Sequence, residues 1–128
     1  MEIKSHLNTP YIKFDKENFI LTIEGKSYPE HPIYFYEPIL KEIIKYKDYM
    51  QFSDIKINLI LEMMSSVSAK YILEVLKTID DNSRKTNIDW YYEEDDEDME
   101  EEGNLFKSFL PNTNFKLIKV KNLPLNNK

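Results

Sequence analysis

The sequence predicts a single α/β domain with a mixed sheet of four to five strands and helices mainly on one face. Three observations carry that expectation. Stretches in which apolar residues recur at every second position alternate along the chain with stretches in which they recur every three to four. Helical stretches stand between the second and third strands and between the third and fourth, a connection that goes with parallel pairing, whereas the first two strands form an antiparallel hairpin. Most strands alternate apolar with polar residues, so one sheet face needs a cover and the other can stay open.

Residues 1–10 end in Asn8-Thr9-Pro10 and show no periodicity. Tyr11 to Phe14 and Phe19 to Ile23 read as short strands, joined by a turn over Asp15-Lys16-Glu17-Asn18. Gly25-Lys26-Ser27 closes the second strand and resembles the end of a phosphate-binding loop. The context is wrong for one: the earlier glycine would fall on Ile20, and Pro29 and Pro32 stand where a helix should begin. Tyr34, Phe35 and Tyr36 then lead, as packing aromatics, into a helix from Pro38 to Met50 whose buried stripe is Leu40, Ile43, Ile44 and Met50.

The centre of the chain is Asp54 to Ile79. Ile55, Ile57, Leu59, Leu61 and Met63 alternate with polar residues as a half-buried strand, broken only by Ile60. Ser65-Ser66-Val67-Ser68 offers hydroxyls to the free N–H groups of the next helix, whose apolar stripe is Ala69, Ile72, Leu73, Leu76 and Ile79. A hydroxyl at that junction stands at the positive end of the helix dipole, where a phosphoryl group finds free donors. Ile88, Trp90 and Tyr92 form the next strand, with Trp90 expected in the core. Glu93 to Glu102 reads as a solvated acidic helix or loop, without the spacing of a helix–loop–helix calcium site. Leu105, Phe106, Phe109 and Leu110 give a short amphipathic helix, and Phe115 to Val120 a last strand. The domain is expected over residues 1–120, with residues 121–128 as a polar tail.

With 128 residues, one core is the expected outcome. No cysteine is present, which excludes disulfides, thiolate metal sites and cysteine nucleophiles and points to the cytoplasm. No apolar run approaches the length of a membrane span, so membrane insertion is not expected. Nine of the ten residues from Glu93 to Glu102 are acidic, and the remainder holds 14 acidic against 17 basic residues. Arg84 is the single arginine, and no basic patch suits a phosphate backbone, so nucleic acid is set aside. His6 and His31 each lack a second histidine at ligand spacing, so neither metal nor cofactor is expected.

Three segments resemble, in order, those of the SiaC-type regulatory phosphoproteins, whose fold is similar to the STAS domains of anti-anti-sigma factors. Ile23-Glu24-Gly25-Lys26-Ser27-Tyr28-Pro29-Glu30 resembles the family's I-x-G-R-S-Y-P-E, and Phe35-Tyr36-Glu37-Pro38 its F-Y-x-P. Asp89 to Met99 resembles its W-Y-Y-E-x-D-D-x-D-M run. Ser65-Ser66-Val67-Ser68-Ala69-Lys70 stands where the family reads N-T-S-S-x-K. The resemblance puts the phosphoacceptor on Ser66, with Ser68 and then Ser65 as alternates, and a partner-binding surface on Ser65, Ser66, Val67, Ser68 and Lys70. It implies a non-enzymatic partner switch in bacterial, biofilm-linked signalling. Its partners would be a target enzyme such as a diguanylate cyclase, a Ser/Thr kinase and a phosphatase. Two alternatives stay open from the residues: a constitutive binding module without a phosphoswitch, and a metal enzyme using the carboxylates of Glu93 to Glu102.

Overall fold

The computed structural model describes residues 1–126. Six strands, β1 (Glu2–Ile3), β2 (Tyr11–Asp15), β3 (Ile20–Ser27), β4 (Asp54–Met64), β5 (Lys85–Glu93) and β6 (Asn114–Val120), form one sheet in sequence order. β1, β2 and β3 pair antiparallel, and β3 to β6 run parallel. The crossovers hold α1 (Pro32–Ile44) with the short α2 (Lys47–Met50), then α3 (Ser66–Asn82), then α4 (Glu97–Phe109). Each crossover steps one strand in the same direction. Since such connections are right-handed, all the helices must fall on one face of the sheet.

That face holds the core. Ile12 and Phe14 of β2, Leu21 and Ile23 of β3, Ile57 and Leu59 of β4 and Ile88 and Trp90 of β5 meet Ile39, Ile43, Ile72, Leu76 and Ile79 from the helices. The opposite face is more polar: Lys56 pairs with Asp89, and Asn87 with Asn114. Along that face the described part of the tail returns, the Leu123 N–H donating to Glu93 and the Asn126 N–H to the buried Glu24. Asn127 and Lys128 lie outside the described residues.

Three differences from the sequence expectation have physical causes, and so does one feature that was expected, the hairpin of β2 and β3. The sheet has six strands, not four to five, because β1 is two residues long and carries no periodicity; it exists by pairing with β2. The glycine-free hairpin forms because Asp15 accepts from the Glu17 and Asn18 N–H groups and Phe19 itself takes positive φ. The first helix starts at Pro32, with Pro38 inside it, so its buried stripe is Tyr36, Ile39 and Ile43, while Ile44 is half exposed. The acidic run from Glu97 onward and the short amphipathic helix are one helix, α4.

The acidic residues set where α4 begins. Asp96 accepts the Met99 N–H at 3.1 Å as its N-cap, and Glu97, Asp98 and Glu100 lie in the first turn, where negative charge complements the helix dipole. Trp90 Nε1 donates to the Met99 carbonyl at 3.0 Å, and the Tyr92 hydroxyl to Glu100 at 2.9 Å, so β5 grips the helix by two side chains. Gly103 lets the helix lie directly on Trp90. A Cβ there would stand 2.6 Å from Trp90 Nε1 and 2.7 Å from its Cδ1. Gly103→Ala gains about 1 kcal/mol of helix propensity but must displace a buried indole at a cost of about 1–3 kcal/mol, so a net loss of up to about 2 kcal/mol is expected in urea unfolding. A variant as stable as the wild type would show that α4 has room to shift.

Candidate functional site

The serine turn lies where β4 ends and α3 begins, beside the end of the parallel strand β3. The Ser65 N–H donates to the Ser27 carbonyl at 2.9 Å, continuing the β3–β4 ladder one step beyond the strands. Ser65 is the N-cap: its backbone is extended, its Oγ accepts the Ser68 N–H at 3.1 Å and its carbonyl accepts the Ala69 N–H at 2.9 Å. Ser stands here in place of the asparagine of N-T-S-S-x-K, and the two are equally good caps. α3 is thereby started one residue before Ser66.

The three candidate hydroxyls thus have different environments. Ser65 uses its oxygen as the cap and is half-buried. Ser68 is fully buried, and its Oγ accepts from Ser27 Oγ at 2.9 Å. Ser66, the first residue of the helix, is exposed. Val67 and Lys70, the other expected partner-binding residues, are exposed as well. Ser66, Val67 and Lys70 therefore make the accessible side of the turn, with Ser65 and Ser68 fastening it from beneath.

Two residues that fasten it were absent from the sequence-derived site. The Ser27 and Tyr36 hydroxyls are hydrogen-bonded to each other in the interior. Ser27 has one proton and gives it to Ser68, so Tyr36 must be the donor to Ser27. The chain Tyr36, Ser27, Ser68 joins α1 to β3 to α3 under the turn. A signal for it was present: Ser27 is in phase with Leu21 and Ile23, the core side of β3. Gly25, between them at φ 107°, marks a shift of register against β4. Gly25-Lys26-Ser27 lies inside a strand, where no phosphate loop forms.

Burial pushes the Tyr36 hydroxyl up to about 12, against the smaller opposing effect of the Ser27 and Ser68 hydroxyls, which can turn to donate to the phenolate once the proton has left. The folded value lies above the ordinary tyrosine value of about 10, so this contribution to stability is intact below pH ~10 and is lost as pH rises towards 12. Tyr11, pushed up to about 12 by burial and then by its bond to Glu2, loses stability in the same window. In thermal melts across that range, Tyr36→Phe is expected to show a shallower fall than the wild type, keeping the share due to Tyr11. Parallel falls would show that Tyr36 ionises without resistance from the fold.

The carboxylates of Glu93 to Glu102 are dispersed among other tasks. Glu93 receives the tail, Asp96 caps α4 and Glu100 accepts from Tyr92. Among the described residues no group of three His, Cys, Asp or Glu side chains is placed to hold a metal ion, and no helix is long and apolar enough to cross a membrane.

Over residues 3–120 the chain matches the family described as SiaC family regulatory phosphoprotein. The chain belongs to the SiaC family. Its fold is similar to that in the crystal structure of the diguanylate cyclase SiaD in complex with its activator SiaC from Pseudomonas aeruginosa. That match has a TM-score of 0.79 and 20% identity, and covers 93% of this chain and 97% of the other. Apo-SiaC from the same organism matches with a TM-score of 0.74 and 21% identity over 93% of this chain and 96% of that one. No curated protein sequence matches the chain. Two of the three segments that carried the resemblance meet at the serine turn in the fold of this SiaC family member. Ser27 and Tyr36 come from the first two and meet Ser68 of the serine turn, while Trp90 and Met99 hold the third closed upon itself.

Proposed function

We propose that this SiaC family member is a non-enzymatic regulator, acting in the cytoplasm, whose phosphorylation state at Ser66 sets its binding to a signalling enzyme. One observation carries the choice of residue: of the three hydroxyls in the turn, only that of Ser66 is both exposed and outside the hydrogen bonds that hold the turn together. A kinase can reach it, and a phosphatase can reach its product. Phosphorylating Ser68 would instead require opening the buried chain to Ser27 and Tyr36, and modifying Ser65 would remove the helix cap. The SiaC of the structural match is an activator in complex with the diguanylate cyclase SiaD, which makes a cyclase the target class to try first. The one-sided helical layer over a mixed sheet supports the STAS-type kinship of the fold.

The test is phosphosite mapping of the protein from its native cells, alongside a pull-down comparing the wild type with Ser66→Ala. Phosphate on Ser66, and a signalling partner retained by both proteins, are expected. A phosphosite outside residues 65–68 would defeat the choice of Ser66, and none under any growth condition would leave a constitutive binding module.

A further inference from the structure

We infer that the groove between the end of β4 and the first turns of α4 docks a basic partner segment carrying an aliphatic anchor. This builds on the reading of the chain as a partner-binding regulator and is independent of whether Ser66 is modified. The groove has a volume of about 570 Å³ and is lined at its base by Met64 and Met99. Met63 and Leu105 stand on its walls, 48% and 50% exposed. Large apolar side chains half bare at the lip of a groove lose contact with water when a partner closes over them, and the soft methionine thioethers adapt to the shape of an incoming anchor.

Charge selects the occupant. Glu62, Asp98, Glu101 and Glu102 also line the groove, together with the capping Asp96, and no Lys, Arg or His does. None of these carboxylates forms an ion pair among the described residues. Such a rim repels acidic segments and nucleic acid and attracts lysine and arginine, while the apolar base requires more of the ligand than charge. These five carboxylates leave 18 acidic against 17 basic residues in the rest of the chain, so the groove holds most of the net charge of −6 in one place. It opens beside Met64, two residues before Ser66, which puts it next to the serine turn.

The probes are two labelled synthetic peptides of equal length, one of leucine and lysine and one of leucine and glutamate, titrated by fluorescence anisotropy into the full chain. The lysine peptide is expected to bind at least about tenfold more tightly than the glutamate peptide, and Glu101→Lys/Glu102→Lys to reverse that order. Methionine methyl spectra should show Met63 shifting on binding while the buried Met50 stays in place. Leu105→Asp adds a negative charge yet removes the anchor site, so it should weaken the lysine peptide about tenfold, where a purely electrostatic attraction would strengthen it. If that variant fails to fold, Leu105→Ala gives the same ordering without the added charge. Equal affinity for the two peptides, an unmoved Met63 methyl, or undiminished binding by the Leu105 variant would overturn the inference. A native partner captured in the pull-down with Met63 unmoved would remove the groove alone; no native partner, with the peptide results as expected, would remove the regulator reading alone.

Discussion

Trp90→Ala is expected to cost about 3–5 kcal/mol, a large part of the about 5–15 kcal/mol that holds a domain of this kind together. The indole is 1% exposed and fills the space between β5 and α4, with Phe106 at 4.8 Å and Phe115 at 6.2 Å between ring centres. Gly103 closes its upper side and has no side chain to fill the cavity that truncation leaves there. The Met99 carbonyl would also lose the donor that now reaches it from Nε1, and that bond fixes the first turn of α4. Urea unfolding followed by circular dichroism measures the loss without relying on the missing tryptophan. Trp90→Phe separates the two causes, since it retains most of the apolar volume and removes only the indole's added bond to a carbonyl that the helix already pairs, a loss of about 0.5–1.5 kcal/mol. A wild-type curve for Trp90→Ala would mean that α4 holds its place without the indole.

The parts of the fold that were legible in the sequence are those where one face of a regular element is buried along its whole length. β4 runs from Asp54 to Met64 and α3 from Ser66 to Asn82, close to where alternation and helical spacing put them, and Trp90 is buried with Ile88 and Tyr92 on one face of β5. Ile60, the residue that broke the alternation of β4, is on the open face and buried there at 6% exposed. What escaped was decided by contacts distant in sequence. β1 needs β2 as a template. Tyr36 was read as part of a lead-in because Pro38 resembles a first-turn proline, while Pro32 does that work and Tyr34, 79% exposed, carries no sign of the burial two residues further on.

The candidate site was legible as a turn and illegible as a hydroxyl chain. Serines before a helix announce caps, and the cap is present in Ser65; which of the neighbouring serines faces solvent depends on how α3 is rotated against the sheet. Ser68 points inward because Ile72, Val75, Leu76 and Ile79 do, one to three turns along the same stripe. Ser66 falls off that stripe. Once the stripe is known, the exposed hydroxyl follows from helical spacing alone, and the buried one needs polar partners, which Ser27 and Tyr36 provide.

On the proposed reading, a phosphoryl group on Ser66 should weaken target binding about a hundredfold, equivalent to about 2.7 kcal/mol, while leaving the melting temperature close to that of the unmodified protein. The fold is spared because the hydroxyl is exposed at the first position of α3, so the added charge stays in water at the favourable end of the helix dipole. An interface closing over Ser66, Val67 and Lys70 would not be spared. It would have to strip water from a group carrying about −1.5 to −2 charges, beside the half-exposed Val67. Lys70, one helical turn on, is in position to compete with the partner for that charge, since residues four apart on a helix are neighbours. Ser66→Asp, with a single charge, should give part of the loss, and Ser66→Ala should retain full affinity and resist regulation. The measurement is target affinity by calorimetry for the unmodified protein, the two variants and protein carrying phosphoserine at position 66, each with its thermal melt. Equal affinities across the set would end the proposal that Ser66 is the switch. A melt lowered as much as the binding would show that the phosphoryl acts on the fold.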